Sequence, residues 1–129
     1  MTPQVGVPIA GYYACRLIRG GLRVPVKIWW GLPIIDGEEQ DRSPRWCCEV
    51  DGRTDRIERD PETGEPTGQR VPLDPILDDV WIYCCGQPIK QREYLFLRRR
   101  AEWAREHAPD HPAARPREKI DIRLLKPGF

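Results

Sequence analysis

At 129 residues, with 21 Lys and Arg against 20 Asp and Glu, the chain has the length of one domain and is nearly neutral. That balance argues against attachment to nucleic acid by overall charge, and no apolar run approaches the ~20 residues a membrane helix needs. The 14 prolines and 11 glycines predict short elements joined by ordered loops. The N-terminal stretch lacks a basic start followed by an apolar core, so no export signal is expected. The five cysteines are then read as reduced thiols in a cytoplasm.

Residues 1–10 read as an irregular lead-in. Residues 12–19 and 22–30 flank Gly20-Gly21, a two-residue hairpin signature. Pairing across that turn sets Leu17 opposite Val24, Cys15 opposite Val26 and Tyr13 opposite Ile28, all on one apolar face. The other face carries Tyr12, Arg16, Arg23, Lys27 and Trp29. Pro25 lies on that second face and cannot donate to a ladder, so the strand is an edge there or carries a bulge. Residues 31–44 read as a linker. A second hairpin is expected over residues 45–57, turning at Asp51-Gly52, with Trp46, Cys48, Val50 and Ile57 on one face. Residues 58–79 show no periodicity and several turn signals, which predicts an exposed loop. A short strand over residues 80–85 leads through Gly86-Gln87-Pro88 into a helix.

That helix, residues 90–108, is the longest run without Pro or Gly and organises the rest of the chain. Tyr94, Leu97, Ala101, Ala104 and Ala108 form one seam at three- and four-residue spacing. Phe96 and Trp103 form a second stripe, and Pro109 ends the helix. Residues 109–129 form an extended tail in which Ile120, Ile122 and Leu124 alternate with Asp121 and Arg123.

Few motifs carry chemistry. Cys47-Cys48 and Cys84-Cys85 suggest a four-thiolate zinc site, but vicinal cysteines on a strand face opposite ways and zinc knuckles space their ligands differently. Cys48 and Cys84 are the weak metal alternative, and small core residues the reading preferred. His107 and His111 are separated by Pro109 and suit a helix C-terminus better than a metal site. Asp74, Asp78 and Asp79 read as a solvated loop rather than a hard-cation site. No nucleophile turn, P-loop or dinucleotide fingerprint occurs, so neither enzyme activity nor a cofactor is expected. Arg98-Arg99-Arg100 is the strongest charge feature, and together with Lys90, Arg92 and Arg105 it makes the helix net positive. Leu95 sits among these arginines. Intrahelical pairs such as Arg98 with Glu102 are the simpler reading of the run, and a patch for phosphates or an acidic protein is the functional one.

Several short stretches resemble small, functionally uncharacterised proteins encoded in phages and prophages of proteobacteria. They are Gln87-Pro88-Ile89, Glu93-Tyr94, Glu102-Trp103-Ala104, His107-Ala108-Pro109, and the closing Ile120-Asp121 with Pro127 and Phe129. The first hairpin and Arg42-Ser43-Pro44-Arg45-Trp46 are similar as well. The resemblance implies a setting inside a bacterial host and no catalytic residue.

The expected fold is therefore α+β: a single domain with a small, twisted antiparallel sheet, of which an SH3-like partial barrel is one form, packed on one long C-terminal helix. The expected function is a non-enzymatic protein-interaction module, a phage factor binding a host or viral protein. Candidate contacts are Leu95, Arg98, Arg99 and Arg105 on the helix, and Tyr12, Arg16, Lys27 and Trp29 on the sheet. The alternative is a nucleic-acid-binding accessory protein that uses the basic helix with the aromatic and basic sheet face. The tail is expected to fold back over Phe96 and Trp103, burying apolar side chains worth roughly 2 kcal/mol each before ordering costs. Deleting residues 119–129 should then lower the melting temperature and expose Trp103 to a fluorescence quencher. Unchanged melting and quenching would show that the tail covers nothing.

Overall fold

The computed structural model describes residues 7–41 and 43–118. In chain order they form β1 (Gly11–Arg16), β2 (Arg23–Gly31), β3 (Ile34–Ile35), β4 (Glu38–Glu39), β5 (Arg45–Val50), β6 (Asp55–Arg59) and β7 (Pro66–Pro72). Then follow α1 (Val80–Cys84), β8 (Pro88–Ile89), α2 (Gln91–His107) and a 3-10 turn at Pro112–Ala114. The fold is α+β, with antiparallel sheets and one long helix of 17 residues. Four strands in the order β5-β2-β1-β8 form an open sheet, and β3-β4 and β6-β7 are separate two-stranded hairpins. The edges β5 and β8 do not pair with each other, so no barrel closure is seen among the described residues.

The first hairpin keeps its expected faces with a different register. Tyr13 pairs with Val26, Cys15 with Val24 and Arg16 with Arg23, two residues away from the expected pairing. A slip of two preserves the side-chain alternation, so Tyr13, Cys15, Val24, Val26 and Ile28 are all buried together. Residues 17–22 replace the two-residue turn. A Cβ on Gly21 would stand 2.8 Å from the Pro116 carbonyl oxygen, so the wider loop brings a glycine beneath the chain that leaves the 3-10 turn.

Pro25 sits in the middle of the sheet without costing a ladder bond. Its carbonyl accepts the Asp51 N–H at 2.9 Å, so its hydrogen-bonding side faces the end of β5, whose last pair with β2 is Val50 with Val26. The missing N–H falls where the neighbouring strand has already turned away, which is the local edge the proline required.

Asp51 and Gly52 both adopt positive φ, 52° and 86°, and Val50 and Arg53 exchange hydrogen bonds of 2.8 and 3.0 Å across them. This is the type I′ turn that Asp-Gly signals. The second arm does not continue along β5, however. After the single Val50–Arg53 bridge the chain leaves the sheet, and β6 pairs with β7 instead. Ile57 therefore does not join the face of Trp46, Cys48 and Val50. Asp36-Gly37 repeats the same turn, with φ of 52° and 79°, and joins β3 to β4 inside the segment read as a linker. Residues 61–70 are exposed as expected, but they build most of a hairpin rather than an irregular loop.

The expected strand at residues 80–85 is instead the helix α1. Trp81 and Cys84, three residues apart, point inward together, and the Trp81 N–H donates to the Pro75 carbonyl at 2.8 Å. Trp81 meets Tyr13 edge-on at 5.3 Å between ring centroids. With Cys15, Val24, Val26, Ile28, Cys48 and Cys84 these rings form the core on one face of the sheet.

α2 covers the opposite face. Tyr94, Ala101 and Ala104 are its buried residues, and the small alanines let the helix lie close to the strands. Lys90 precedes it in extended conformation with no side-chain cap bond, and Ala108 ends it. One flank is tied to β5. The Tyr94 hydroxyl and the Arg98 guanidinium both donate to the Glu49 carboxylate, and Arg98 also reaches the Tyr94 oxygen at 3.1 Å. Arg105 donates to the Asp51 carboxylate and, at 3.3 Å, to the Asp51 carbonyl. Glu49 and Arg98 side chains are only 17% and 27% exposed, so removing one strands the other in a poorly hydrated place. Arg98→Ala should cost about 2 kcal/mol in urea unfolding, while Arg99→Ala, on the exposed side, should stay within about 0.5 kcal/mol. Equal losses for the two would show that the Glu49 contact does not fix the helix.

Candidate interaction surface

Helical geometry decides which side chains of α2 face a partner. With the seam at Tyr94, Ala101 and Ala104 turned to the sheet, the opposite side carries Arg92, Leu95, Phe96, Arg99, Trp103 and the exposed Glu106. Leu95, Phe96 and Trp103 are 41%, 62% and 52% exposed. Scattered exposed apolar residues are ordinary, but three on one helical face, interleaved with arginines, form a patch of the kind found at interfaces. The Trp103 ring lies 6.1 Å from that of His107 and 6.3 Å from that of His111, and the indole is still half exposed. Of the tail expected over this stripe, residues 119–129, with Ile120, Ile122 and Leu124, lie outside the described residues, while residues 112–114 form a 3-10 turn rather than extended chain.

The eight candidates do not converge. Leu95 and Arg99 stand on the outer face. Arg98 and Arg105 are engaged by Glu49 and Asp51 and act as fasteners of the helix. Tyr12 lies against Tyr94, ring centroids 4.7 Å apart, on the face that α2 covers. Lys27 and Trp29 are half-buried and occupy each other, the ammonium 5.5 Å from the indole centroid. Arg16 is exposed at the end of β1, opposite Arg23. The sheet face proposed as a platform is thus largely the floor under the helix.

A second apolar patch escaped the sequence reading. Ile76 and Leu77 in the turn before α1, and Ile82 and Tyr83 on its outer side, are all exposed, Leu77 at 81%. A strand assignment sets Trp81 and Tyr83 on one face. The helix sets Trp81 inward and Tyr83 outward. The turn itself is firm, because the Asp74 carboxylate accepts the Ile76 and Leu77 N–H groups at 2.8 and 2.9 Å. Asp78 accepts the Asp74 N–H at 2.8 Å and pairs with Arg56 at 2.7 Å. These aspartates are committed to holding the turn. A cleft of about 920 Å³ opens between this turn, the Asp51-Gly52 turn and Arg115–Glu118. Its walls mix both signs of charge, and most of its ions are already paired with one another.

Cys48 and Cys84 lie in one core cluster with Cys15, Tyr13 and Trp81. Burial pushes the Cys15 thiol up to about 11 and Cys84 up to about 12, and raises Cys48 further still. Thiols held protonated in this way are poor ligands and poor nucleophiles. Both histidines lie by Trp103 rather than in this cluster. Among the described residues no group of three or more His, Cys, Asp or Glu could hold a metal ion. Among the same residues no helix is long and apolar enough to cross a membrane. Comparison with protein-family models, with curated proteins and with solved structures finds no match.

Thiol chemistry offers a direct check. Cys85 is half-buried while the other four cysteines are buried. At pH 8 an aromatic disulfide reagent should label about one thiol per native chain quickly, and Cys85→Ser should remove that phase. Rapid reaction of three or more thiols without denaturant would contradict the packing of α1 on the sheet.

Proposed function

We propose that the protein is a non-enzymatic interaction module that docks an acidic protein surface on the outer side of α2. The observation that carries this reading is the exposed row of Leu95, Phe96 and Trp103 with Arg92 and Arg99 among them. Large apolar side chains held in water on a rigid helix supply the desolvation energy of an interface. Arginines beside them supply steering and paired contacts to carboxylates. The resemblance to small phage and prophage proteins makes a host or viral protein in an infected bacterial cytoplasm the partner to seek. The nucleic-acid reading is weaker, because three of the groups it relies on are engaged within the protein, Tyr12 by Tyr94 and Arg98 and Arg105 by carboxylates.

The test is capture from a nuclease-treated bacterial lysate, with wild type beside Leu95→Glu and Trp103→Glu. Both substitutions lie on exposed positions and should leave folding intact. A partner kept by the wild type and by Ile57→Glu on the far hairpin, and lost by both helix variants, is the expected result. A partner that disappears with nuclease, or binding to generic DNA whose affinity falls steeply with salt, would overturn the reading in favour of nucleic acid.

A further inference from the structure

The other flank of α2 holds three arginines that the docking surface does not use. Arg16 at the end of β1 and Arg23 at the start of β2 are directly opposite each other in the ladder. Both side chains fall on the face that α2 covers, and like charges placed opposite in this way destabilise a hairpin. α2 then adds a third guanidinium, Arg100, to the same place. The three arginines and Glu93 line a cavity of about 360 Å³ whose remaining wall is apolar, with Phe96 and Leu97 from the helix.

None of the three guanidiniums makes a hydrogen bond or an ion pair with any described residue. The Nε atoms of Arg23 and Arg100 are shielded from water and have no hydrogen-bond partner. Burial also lowers the Arg100 pKa, which means that its positive charge is held there at a cost. Elsewhere in the molecule, Arg56, Arg70, Arg98, Arg105 and Arg115 all have carboxylate partners. Arg23 and Arg100 are partly buried, and guanidiniums that outnumber the carboxylates around them among the described residues call for an anion. Three guanidiniums against one glutamate leave a local charge of +3 − 1 = +2. A phosphomonoester carries about −1.5 to −2 near pH 7, whereas a single carboxylate carries half of that. Guanidinium forks match phosphate oxygens in pairs. Phe96, over whose ring the Arg100 guanidinium lies at 5.8 Å from the centroid, adds a largely exposed aromatic ring to the lining. The volume falls within the ~300–1,000 Å³ usual for small-molecule sites.

We propose that the cleft between the Arg16–Arg23 pair and α2 is a binding site for a small aromatic phosphomonoester. Its phosphate lies among Arg16, Arg23 and Arg100, and its ring lies against Phe96. The site is distinct from the outer face of α2, and Phe96 stands on the border between the two.

Calorimetric titration of the full chain at constant ionic strength tests this, with phenyl phosphate, inorganic phosphate and benzoate as probes. Phenyl phosphate should bind saturably, one per chain, and at least tenfold more tightly than either of the others. Its affinity should drop below pH 6, where the dianion takes up a proton. Arg23→Gln and Arg100→Gln should each weaken it at least tenfold, while Arg99→Gln leaves it unchanged. Arg23→Gln should also raise the melting temperature of the ligand-free protein, because it relieves the cross-strand repulsion. That gain shows that the variant folds and separates lost binding from lost structure. The proposal is overturned if phenyl phosphate fails to saturate, if benzoate or inorganic phosphate binds as tightly, or if Arg99→Gln weakens binding as much as Arg100→Gln.

Discussion

The contact between α2 and β5 is the constraint from which the rest of the molecule follows. Two arginines on one flank of the helix reach Glu49 and Asp51, on the last turn of the strand and just beyond it. The alanine seam sets how close the helix lies, but apolar contact has little directional preference. The paired charges fix the rotation of the helix about its own axis. That rotation turns Tyr94 onto Tyr12, turns Leu95 and Trp103 to solvent, and swings Arg100 to the far flank beside Arg23. Asp51 is held in turn by a bond from its N–H to Pro25. The proline in the central strand, the I′ turn and the helix therefore form one connected unit.

The sheet has two dissimilar covers. One face is closed by α1 with a tryptophan, and thiols fill the space between the larger side chains. The other is closed by a long helix whose buried residues are mostly alanine, with charged groups at the margins. Core packing thus accounts for the short helix and electrostatics for the placement of the long one. The arginine run divides accordingly. Arg98 belongs to the structure, Arg99 to the outer surface and Arg100 to the second flank. Three consecutive residues project at about 100° intervals around a helix, so one motif serves three surroundings.

Much of the fold was legible in the sequence where side chains alternate between buried and exposed. The inward set of the first hairpin, the Asp51-Gly52 turn and the helix with its seam all rest on periodicity or on turn residues that demand positive φ. The register of the first hairpin was not legible, because Gly20-Gly21 fits a tight turn as readily as a wider loop, and the close approach of Pro116 to Gly21 joins positions nearly a hundred residues apart. The β6–β7 hairpin was hidden for a different reason. It is exposed along most of its length, so nothing selects apolar residues on alternate positions. α1 was misread because a run of six apolar residues has no period of its own. Among the candidate contacts, Leu95 and Arg99 were recognisable from the helical wheel. The fate of Arg98 and Arg105 was not, because their partners lie on another element.

The fasteners of α2 join residues 45 to 54 positions apart in the chain. Closing loops of that size before any contact rewards them is entropically slow. The β1–β2 hairpin and the Asp51-Gly52 turn need only local closure and can form early. α2 is then the late arrival. Its first turn lacks a side-chain cap, and its outer face has no described covering, so it gains its fixed position only once β5 is in place. During synthesis the strands that receive it emerge before it does. Until they are assembled, the same amphipathic segment is free to engage any other apolar surface, which makes the interval before docking the stage at which this chain is most exposed to misassociation.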